Sequence, residues 1–244
     1  MALSACSPFL TIFIFNFAVK SKSLALFDLD HTLIPIDSDQ SWGRFTTEVG
    51  VTDADEFLKT NEAFYQDYCR GELDIAAYVR FTTQAARLMG PQKAQALRLR
   101  YVKEVIEPQI LPQALALVNA HRARGDHLMI VTATNEWVTR PIADCFGIED
   151  LIAVELQTDE QGWMTGEIKG IPSLGAGKLT RVEQWLQAKG LQLSALETTF
   201  YSDSINDVPL MSSVKHPVAT NPDERLKALA IEKAWPILDL FGQA

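Results

Sequence analysis

From Pro112 onward, short apolar runs alternate with helical stretches, and this alternation constrains the fold more than any other feature of the sequence. The pattern predicts helices over 112–124, 136–146, 176–189 and 206–213, and strands over 127–134, 198–203 and 215–220. Between them, "LIAVELQ" and "WMTGEIKG" are predicted to form a short antiparallel pair around Gly162. Alternation of this kind is typical of βαβ units. The predicted fold class is α/β, with a Rossmann-like parallel sheet and helices on both faces.

One predicted strand, "LALF" at residues 24–27, lies far from this array in the sequence. The segment that follows it shows helical spacing of apolar residues, as in Phe57, Phe64 and Tyr68, and no strand alternation. Gly and Pro in "RGELD" and "MGP" break it into four predicted helices. We therefore predict an α/β core of residues 24–36 and 109–244, interrupted by an all-helical cap over 37–108.

Composition narrows the function classes. The chain has 22 basic and 31 acidic residues and a net charge of −9, which argues against a nucleic-acid binder, because such proteins present a basic face to the phosphates. Cys6, Cys69 and Cys145 lie far apart without the spacing of a zinc site or a disulfide framework. These features favour a reducing cytoplasm and a small-molecule substrate.

The apolar run "PFLTIFIFNFAV" lies within residues 1–23. Its length matches the apolar part of a signal peptide and is too short to span a bilayer, so no membrane association is expected. No basic residue precedes it, and "VKSKS" follows where a small-residue cleavage site belongs. A secretion signal, an extra strand, an appendage and an over-long start remain open, and the role of this segment is unknown.

Two acids directly follow the first strand. Side chains two apart in extended chain point to the same side, so Asp28 and Asp30 are predicted to face one site. A carboxylate can act as a nucleophile without an activating base, which makes Asp28 the candidate, and Asp30 is then placed for acid and base work. The alternative is that both acids cap a helix. A calcium loop is excluded, because Thr32 and Leu33 occupy required ligand and glycine positions.

Polar residues at three further places are expected at the same edge of the sheet. Asp203 with Asp28 predicts a site for Mg²⁺, which needs few protein ligands. Thr132 ends a strand and can hold phosphoryl oxygens, and Lys178 at a helix start indicates an anion opposite it. The alternatives are a turn threonine, an exposed lysine, and a turn and helix cap at Ser204 and Asn206. A Walker A loop is excluded by Pro172 and Leu179.

Taken in order, "DLDHT", "VTATN", "GAGK" and "SDSIND" resemble the four motifs of the haloacid dehalogenase-like superfamily. The resemblance extends from Leu24 to the end of the chain. It is specific to the phosphoserine-phosphatase-like branch, which carries a helical cap after the first strand. It implies a Mg²⁺-dependent hydrolase of phosphoric monoesters that acts on a small phosphorylated metabolite. The acid at position 30 favours a phosphatase over the dehalogenases of the superfamily.

The resemblance also implies residue roles. Asp28 would form an aspartyl-phosphate and Asp30 would act as general acid and base. The Asp28 carboxylate, the Asp30 carbonyl oxygen and Asp203 would coordinate Mg²⁺. The remaining implied roles are a hydrogen bond from Thr132 to the phosphoryl group, charge neutralisation by Lys178, support of the metal and the lysine by Asn206 and Asp207, and substrate contacts from Asp37, Ala133 and Thr134.

The substrate is left open between phosphoserine and histidinol phosphate. Asp37 stands where phosphoserine phosphatases have a glutamate, and their cap arginine matches none of Arg44, Arg70 and Arg80 uniquely. Asp37, Asp39 and Trp42 suit a cationic or aromatic leaving group. The alternative is a solvated helix start capped by Ser38 or Asp39. A phosphotransferase or mutase of the same superfamily is the alternative function, and the oligomeric state is unknown.

Overall fold

A computed structural model describes residues 23–242, and within this range a parallel sheet of six strands forms the centre. The sheet strands are β1 (Ser23–Phe27), β2 (His127–Asn135), β3 (Asp150–Val154), β6 (Glu197–Ser202), β7 (His216–Thr220) and β8 (Ile237–Leu238). Their order is β3-β2-β1-β6-β7-β8. A separate antiparallel pair consists of β4 (Leu156–Thr158) and β5 (Met164–Ile168).

Strand β1 lies in the interior of the sheet, paired with β2 on one side and β6 on the other. Four successive side chains of β1, from Leu24 to Phe27, are at most 1 % exposed. A strand covered on both faces has no solvent side, so its sequence is continuously apolar instead of alternating. The run "LALF" is therefore explained by the central position of its strand.

Nine α-helices accompany the strands in residues 23–242. They are α1 (Ser38–Glu48), α2 (Ala54–Arg70), α3 (Ile75–Met89), α4 (Pro91–Tyr101), α5 (Pro112–Arg124), α6 (Glu136–Cys145), α7 (Ala176–Gln187), α8 (Val208–Met211) and α9 (Glu224–Glu232). Buried residues of α5 and α6 pack with Ala25 and Phe27 in one cluster, and those of α7, α8 and α9 pack with Leu24 and Leu26 in another. Helices thus cover both faces, and the predicted fold class is confirmed.

Helices α1 to α4 lie in the chain between β1 and β2, followed by a π-helical turn over Val102–Ile106 and a 3₁₀ turn over Glu107–Gln109. The predicted breaks occur where glycine is needed. Gly71 ends α2 in the left-handed conformation, and Gly90 has φ of 76° between α3 and α4. No helix of residues 23–242 is both long and apolar enough to cross a membrane.

Several sequence predictions need correction. The first part of "LIAVELQ" is β3, an edge strand of the main sheet, and only β4 pairs with β5. The predicted helix over 206–213 is a 3₁₀ turn at 205–207 followed by the short α8. Asp37 caps α1 by accepting from the Gln40 N–H, instead of Ser38 or Asp39. The apolar segment 1–23 lies outside the described residues, except for Ser23.

The first turn of α7 lies very close to the loop before it. A Cβ atom added at Gly177 would be 2.0 Å from the carbonyl oxygen of Pro172. This close approach involves backbone, which cannot rotate away as a side chain can. Glycine at position 177 therefore allows α7 to start where it does, immediately before Lys178.

We predict that Gly177→Ala destabilises the fold by up to about 2 kcal/mol, because overpacking against backbone costs roughly 1–3 kcal/mol and outweighs the roughly 1 kcal/mol that alanine gains in a helix. Urea unfolding followed by circular dichroism measures the change. The exposed neighbour Ala176→Ser is the control, with an expected change within about 0.5 kcal/mol. An unfolding midpoint of Gly177→Ala equal to that of the wild type would contradict the close packing.

Candidate active site

The carboxyl ends of β1, β2 and β6 meet at one edge of the sheet, where open α/β sheets bind their ligands. A cavity of about 440 Å³ opens there. Ten of the site residues predicted from the sequence line this cavity, namely Asp28, Asp30, Asp37, Thr132, Ala133, Thr134, Lys178, Asp203, Asn206 and Asp207. Residues from four distant parts of the sequence therefore converge on a common pocket.

Lys178 is the buried cation of this pocket, with 2 % of its surface exposed. Its Nζ donates to Oδ1 of Asp28 at 2.8 Å and to Oδ2 of Asp207 at 2.6 Å. The hydroxyl of Ser202 donates to the same oxygen of Asp207 at 2.7 Å. Burial alone lowers the pKa of Lys178, but Asp207 and Asp28 outweigh it and raise the pKa, so the side chain stays charged. The interpretation of an exposed lysine is wrong.

Asp28 extends the ladder of β1 by one residue, since its N–H donates to the carbonyl of Tyr201 at 2.9 Å. The side chain is 6 % exposed and lines the cavity. Lys178 engages Oδ1, and Oδ2 accepts no hydrogen bond from residues 23–242. This carboxylate is held in place at one oxygen and open at the other, as a nucleophile requires.

Thr32 fixes the acid that follows β6. Its hydroxyl donates to Oδ1 of Asp203 at 3.1 Å and accepts from the N–H of the same residue at 3.1 Å. Burial, followed by the charges of Asp28 and Asp207, raises the pKa of Asp203 well above its usual value. Three carboxylates surround one ammonium group, which leaves an excess of negative charge at the edge of the sheet.

This excess of negative charge raises the question of whether the residues of the cavity can bind Mg²⁺. Asp28 and Asp203 offer hard oxygen ligands, which Mg²⁺ prefers, and a cation relieves the repulsion between them. No three His, Cys, Asp or Glu side chains of residues 23–242 form a cluster that holds a metal by themselves. Mg²⁺ keeps several waters and needs only one or two carboxylates, so the residues present fit this ion.

Asp30 lies between the start of α1 and the end of β2. Its Oδ1 accepts from the N–H of Ser38 at 2.8 Å, and its Oδ2 accepts from the hydroxyl of Thr134 at 2.8 Å. Burial, with a further contribution from Asp37, raises the pKa of Asp30 to about 6. Neither Asp28 nor Asp30 is the N-cap of α1, which is Asp37.

The strand end at Thr132 is shaped by local hydrogen bonds. The Thr132 hydroxyl oxygen accepts from the N–H of Thr134 at 3.1 Å, and its carbonyl accepts from the hydroxyl of Ser173 at 2.7 Å. The hydroxyl proton of Thr132 has no acceptor among residues 23–242, and the residue lines the cavity. Thr132 can therefore donate to a ligand there.

Two residues expected to face the leaving group do not line the cavity. Trp42 is 1 % exposed and packs with Tyr101 and Trp137, at ring centroid distances of 5.4 and 5.3 Å. Asp39 is 2 % exposed and accepts from the Asn135 side chain at 2.9 Å. The alternative of a solvated helix start is also wrong, because Ser38 and Asp39 are buried.

The interpretation of Ser204 and Asn206 as a turn and helix cap is correct in part. Its hydroxyl accepts from the N–H of Asn206 at 3.2 Å and shares a hydrogen bond of 3.0 Å with the phenol of Tyr68 in α2. Asn206 itself lines the cavity.

Tyr68 and Asn61 line the cavity but were not predicted from the sequence to do so. A polar residue four positions after Phe57, on the apolar face of α2, was the available signal for Asn61.

The comparisons with known proteins agree with this geometry. Residues 25–212 match the haloacid dehalogenase-like hydrolase family. A histidinol-phosphatase of Neisseria meningitidis is 41 % identical over 219 residues, which cover 89 % of this chain and 99 % of that protein. A phosphoserine phosphatase of Mycobacterium tuberculosis is 31 % identical over 228 residues, or 91 % of this chain and 72 % of that protein.

Among solved structures, a Bordetella pertussis protein of unknown function is 41 % identical, with a TM-score of 0.85 over 91 % of this chain and all of that one. A substrate-bound phosphoserine phosphatase is 18 % identical, with a TM-score of 0.60 over 90 % of this chain and 93 % of that one, and supports the fold alone. The predicted enzyme class, phosphoric monoester hydrolase, agrees with the phosphatase names of the relatives. The resemblance seen in the four motifs is confirmed: the chain belongs to the haloacid dehalogenase-like hydrolase family.

Proposed function

We propose that the protein is a Mg²⁺-dependent phosphatase that hydrolyses a small phosphomonoester through an aspartyl-phosphate on Asp28. The observation that carries the proposal is the buried contact of Lys178 with Asp28 and Asp207, beside Asp203. Phosphoryl transfer depends on positioning and on charge stabilisation, and this arrangement offers both. Asp28, Asp203 and the Asp30 carbonyl would hold Mg²⁺, which supplies further positive charge to the phosphoryl oxygens when it is bound.

In the first step, a carboxylate oxygen of Asp28 forms a bond to phosphorus while the bond from phosphorus to the alcohol oxygen breaks. Asp30 gives its proton to the departing alkoxide, so a neutral alcohol leaves. Lys178 and Thr132 act on the negative charge of the transferring group, the lysine through its charge and the threonine through its hydroxyl proton.

In the second step, a water oxygen bonds to phosphorus and the bond to Asp28 breaks, which releases inorganic phosphate. Asp30, now ionised, takes the proton of this water. The Ser38 and Thr134 hydrogen bonds to Asp30 keep its carboxylate beside the pocket in both steps. The same residue thus serves as acid and then as base.

The charges around the cavity favour a cationic leaving group. Seven carboxylates line it, against His31 and the cationic side chains of Lys178 and Arg225, and the lysine is already bound to Asp28 and Asp207. Arg225 donates to the carbonyl of Cys69. Arg225 is the one of these two cations that is not paired with a carboxylate of residues 23–242, so an anionic carboxylate such as that of phosphoserine meets one such cation among seven acids. A phosphomonoester with a cationic head, such as histidinol phosphate, fits better, in agreement with the name of the Neisseria relative.

The three arginines considered as partners of a substrate carboxylate do not line the cavity. Arg44 is exposed on α1, Arg70 pairs with Asp67 and Glu72, and Arg80 pairs with Glu167. This arrangement supports histidinol phosphate over phosphoserine within the proposed function.

We also propose that residues 37–108 form a cap over the core of residues 24–36 and 109–244. Three hydrogen bonds join the parts at the cavity: Ser38 N–H with Asp30 at 2.8 Å, Tyr68 with Ser204 at 3.0 Å, and Arg225 with the Cys69 carbonyl at 3.1 Å. A cap of this kind excludes water around the phosphoryl group, which favours transfer to the enzyme first.

The alternative function is a phosphotransferase or mutase. In that case an acceptor alcohol would become phosphorylated, whereas phosphate alone accumulates in hydrolysis.

We predict that Asp28→Asn lowers kcat/KM for histidinol phosphate by at least about 10³-fold, because the amide cannot accept the phosphoryl group. Phosphate release measures the rate, and mass spectrometry of quenched wild-type enzyme should detect a phosphate on the peptide that contains Asp28. The exposed Asp55→Asn in α2 is the matched control and should retain activity. Full activity of Asp28→Asn would refute the proposed nucleophile.

Removal of Mg²⁺ with a chelator should abolish activity, and its return should restore it. Binding to the folded state stabilises the protein by about 2.7 kcal/mol at a Mg²⁺ concentration 100 times the Kd. We therefore expect Mg²⁺ to raise the thermal unfolding midpoint of the wild type, and to raise that of Asp203→Asn less. The asparagine can still accept from Thr32, so the comparison isolates the charge. An equal rise in both proteins would exclude Asp203 as a ligand.

Asp37→Asn should lower kcat/KM for histidinol phosphate about 10-fold more than for ethyl phosphate, because it removes a negative charge beside the leaving group. Asparagine also caps helices well, so α1 should remain capped. Asp53 caps α2 in the same way and does not line the cavity, which makes Asp53→Asn the matched control. Equal losses of kcat/KM for the two substrates would show that Asp37 does not contribute to recognition of the leaving group.

A further inference from the structure

Asn61 is a buried polar residue that the proposed chemistry does not use. It lies in the middle of α2, is 7 % exposed and lines the cavity. Its side-chain amide has no hydrogen-bond partner within residues 23–242. The amide atoms of Asn61 are not among the enclosed polar atoms without a partner, so they are accessible from the cavity, where a ligand can reach them. The amide therefore points to a ligand instead of to the core.

The walls around Asn61 are aromatic. Phe64 and Tyr78 both line the cavity, and their rings meet edge to face with centroids 5.5 Å apart. Tyr68 lies one helical turn beyond Phe64 and lines the cavity as well. Flat rings of this kind attract a cation or another ring over their faces. Residues 37–108 therefore form a compartment that suits a flat group, and Asn61 can give that group one directional hydrogen bond.

The electrostatic field in this compartment is negative. Burial, and then the charges of Asp37, Asp39 and Asp30, raise the pKa of Tyr78 well above its usual value. The phenol therefore stays neutral, and the carboxylates act on whatever lies beside it. A positively charged group is stabilised in such a field, and a second carboxylate is repelled.

We propose that Asn61 is a specificity-determining residue that hydrogen-bonds the head group of the leaving alcohol. The head group is a nitrogen-containing cation or protonated heterocycle, lying against Phe64, Tyr68 and Tyr78. The carboxamide oxygen of Asn61 accepts from an N–H of this group. The inference rests on the proposed phosphatase function. It adds to that function the residue that recognises the head group of the substrate, at the end of the cavity formed by residues 37–108.

The test compares two substrates that share the phosphate and differ in the head. Asn61→Leu keeps the approximate volume and removes the hydrogen-bonding atoms. We expect the ratio of kcat/KM for histidinol phosphate to that for ethyl phosphate to fall about 10-fold to 100-fold, the range that one lost polar contact produces. Product inhibition by histidinol should weaken by a similar factor. Gln66→Leu is the control, because it also replaces a side-chain amide of α2 by leucine, but on the exposed side of the helix, where the amide donates to Glu62.

A ratio and a histidinol inhibition constant within about 2-fold of the wild type would overturn the inference. Circular dichroism and thermal unfolding establish that the variant is folded, and Asn61→Ala replaces Asn61→Leu if it is not. Failure of the proposed function is a different outcome, in which the wild type releases phosphate from neither substrate. A wild type that hydrolyses both, together with an unchanged Asn61→Leu ratio, would leave the phosphatase standing and exclude Asn61 alone.

Discussion

The ammonium group of Lys178 is the interaction on which the rest of the site depends. Two carboxylates, one directly after β1 and one in the 3₁₀ turn after β6, meet it at 2.8 and 2.6 Å in a buried setting. Burying one ion alone costs several kcal/mol, and the two ion pairs together with the Ser202 donation to Asp207 offset this cost. The close start of α7 at Gly177 fixes where the ammonium can lie. One lysine cannot neutralise Asp28, Asp203 and Asp207 together, which is why a second cation belongs in the proposed function.

Asp30 connects this charged centre to the helices inserted after β1. Its two oxygens accept from Ser38 at the start of α1 and from Thr134 at the end of β2. A movement of α1 relative to β2 therefore changes the hydrogen bonds of the same carboxylate that is proposed to transfer protons. The position of residues 37–108 and the proposed protonation of the leaving group are in this way physically linked through Asp30.

The sequence was a good guide where local pattern decides the structure. Strand β1 and helices α5, α6 and α7 occur within two residues of their predicted bounds, because a continuously apolar run and helical periodicity each have one stable solution in a parallel sheet. The four motifs also contain every predicted cavity residue except Asp37. Asn61 and the core position of Trp42 depend on how α2 and α1 pack against distant elements, and spacing along the chain carries no such information. The capping role of Asp37 was missed for a smaller reason, since Asp37, Ser38 and Asp39 are all good caps.

The two ends of the cavity favour groups of opposite charge, which determines how a substrate is oriented in it. A phosphomonoester carries a charge of about −1.5 to −2 at neutral pH. At the end of the sheet, Lys178 and the proposed Mg²⁺ attract that charge, whereas Asp37 and its neighbours repel it at the end formed by the insert. A cationic head experiences the reverse at each end. A dipolar substrate therefore has one favourable orientation, the one that brings phosphorus to Asp28, and a substrate with anionic groups at both ends has none.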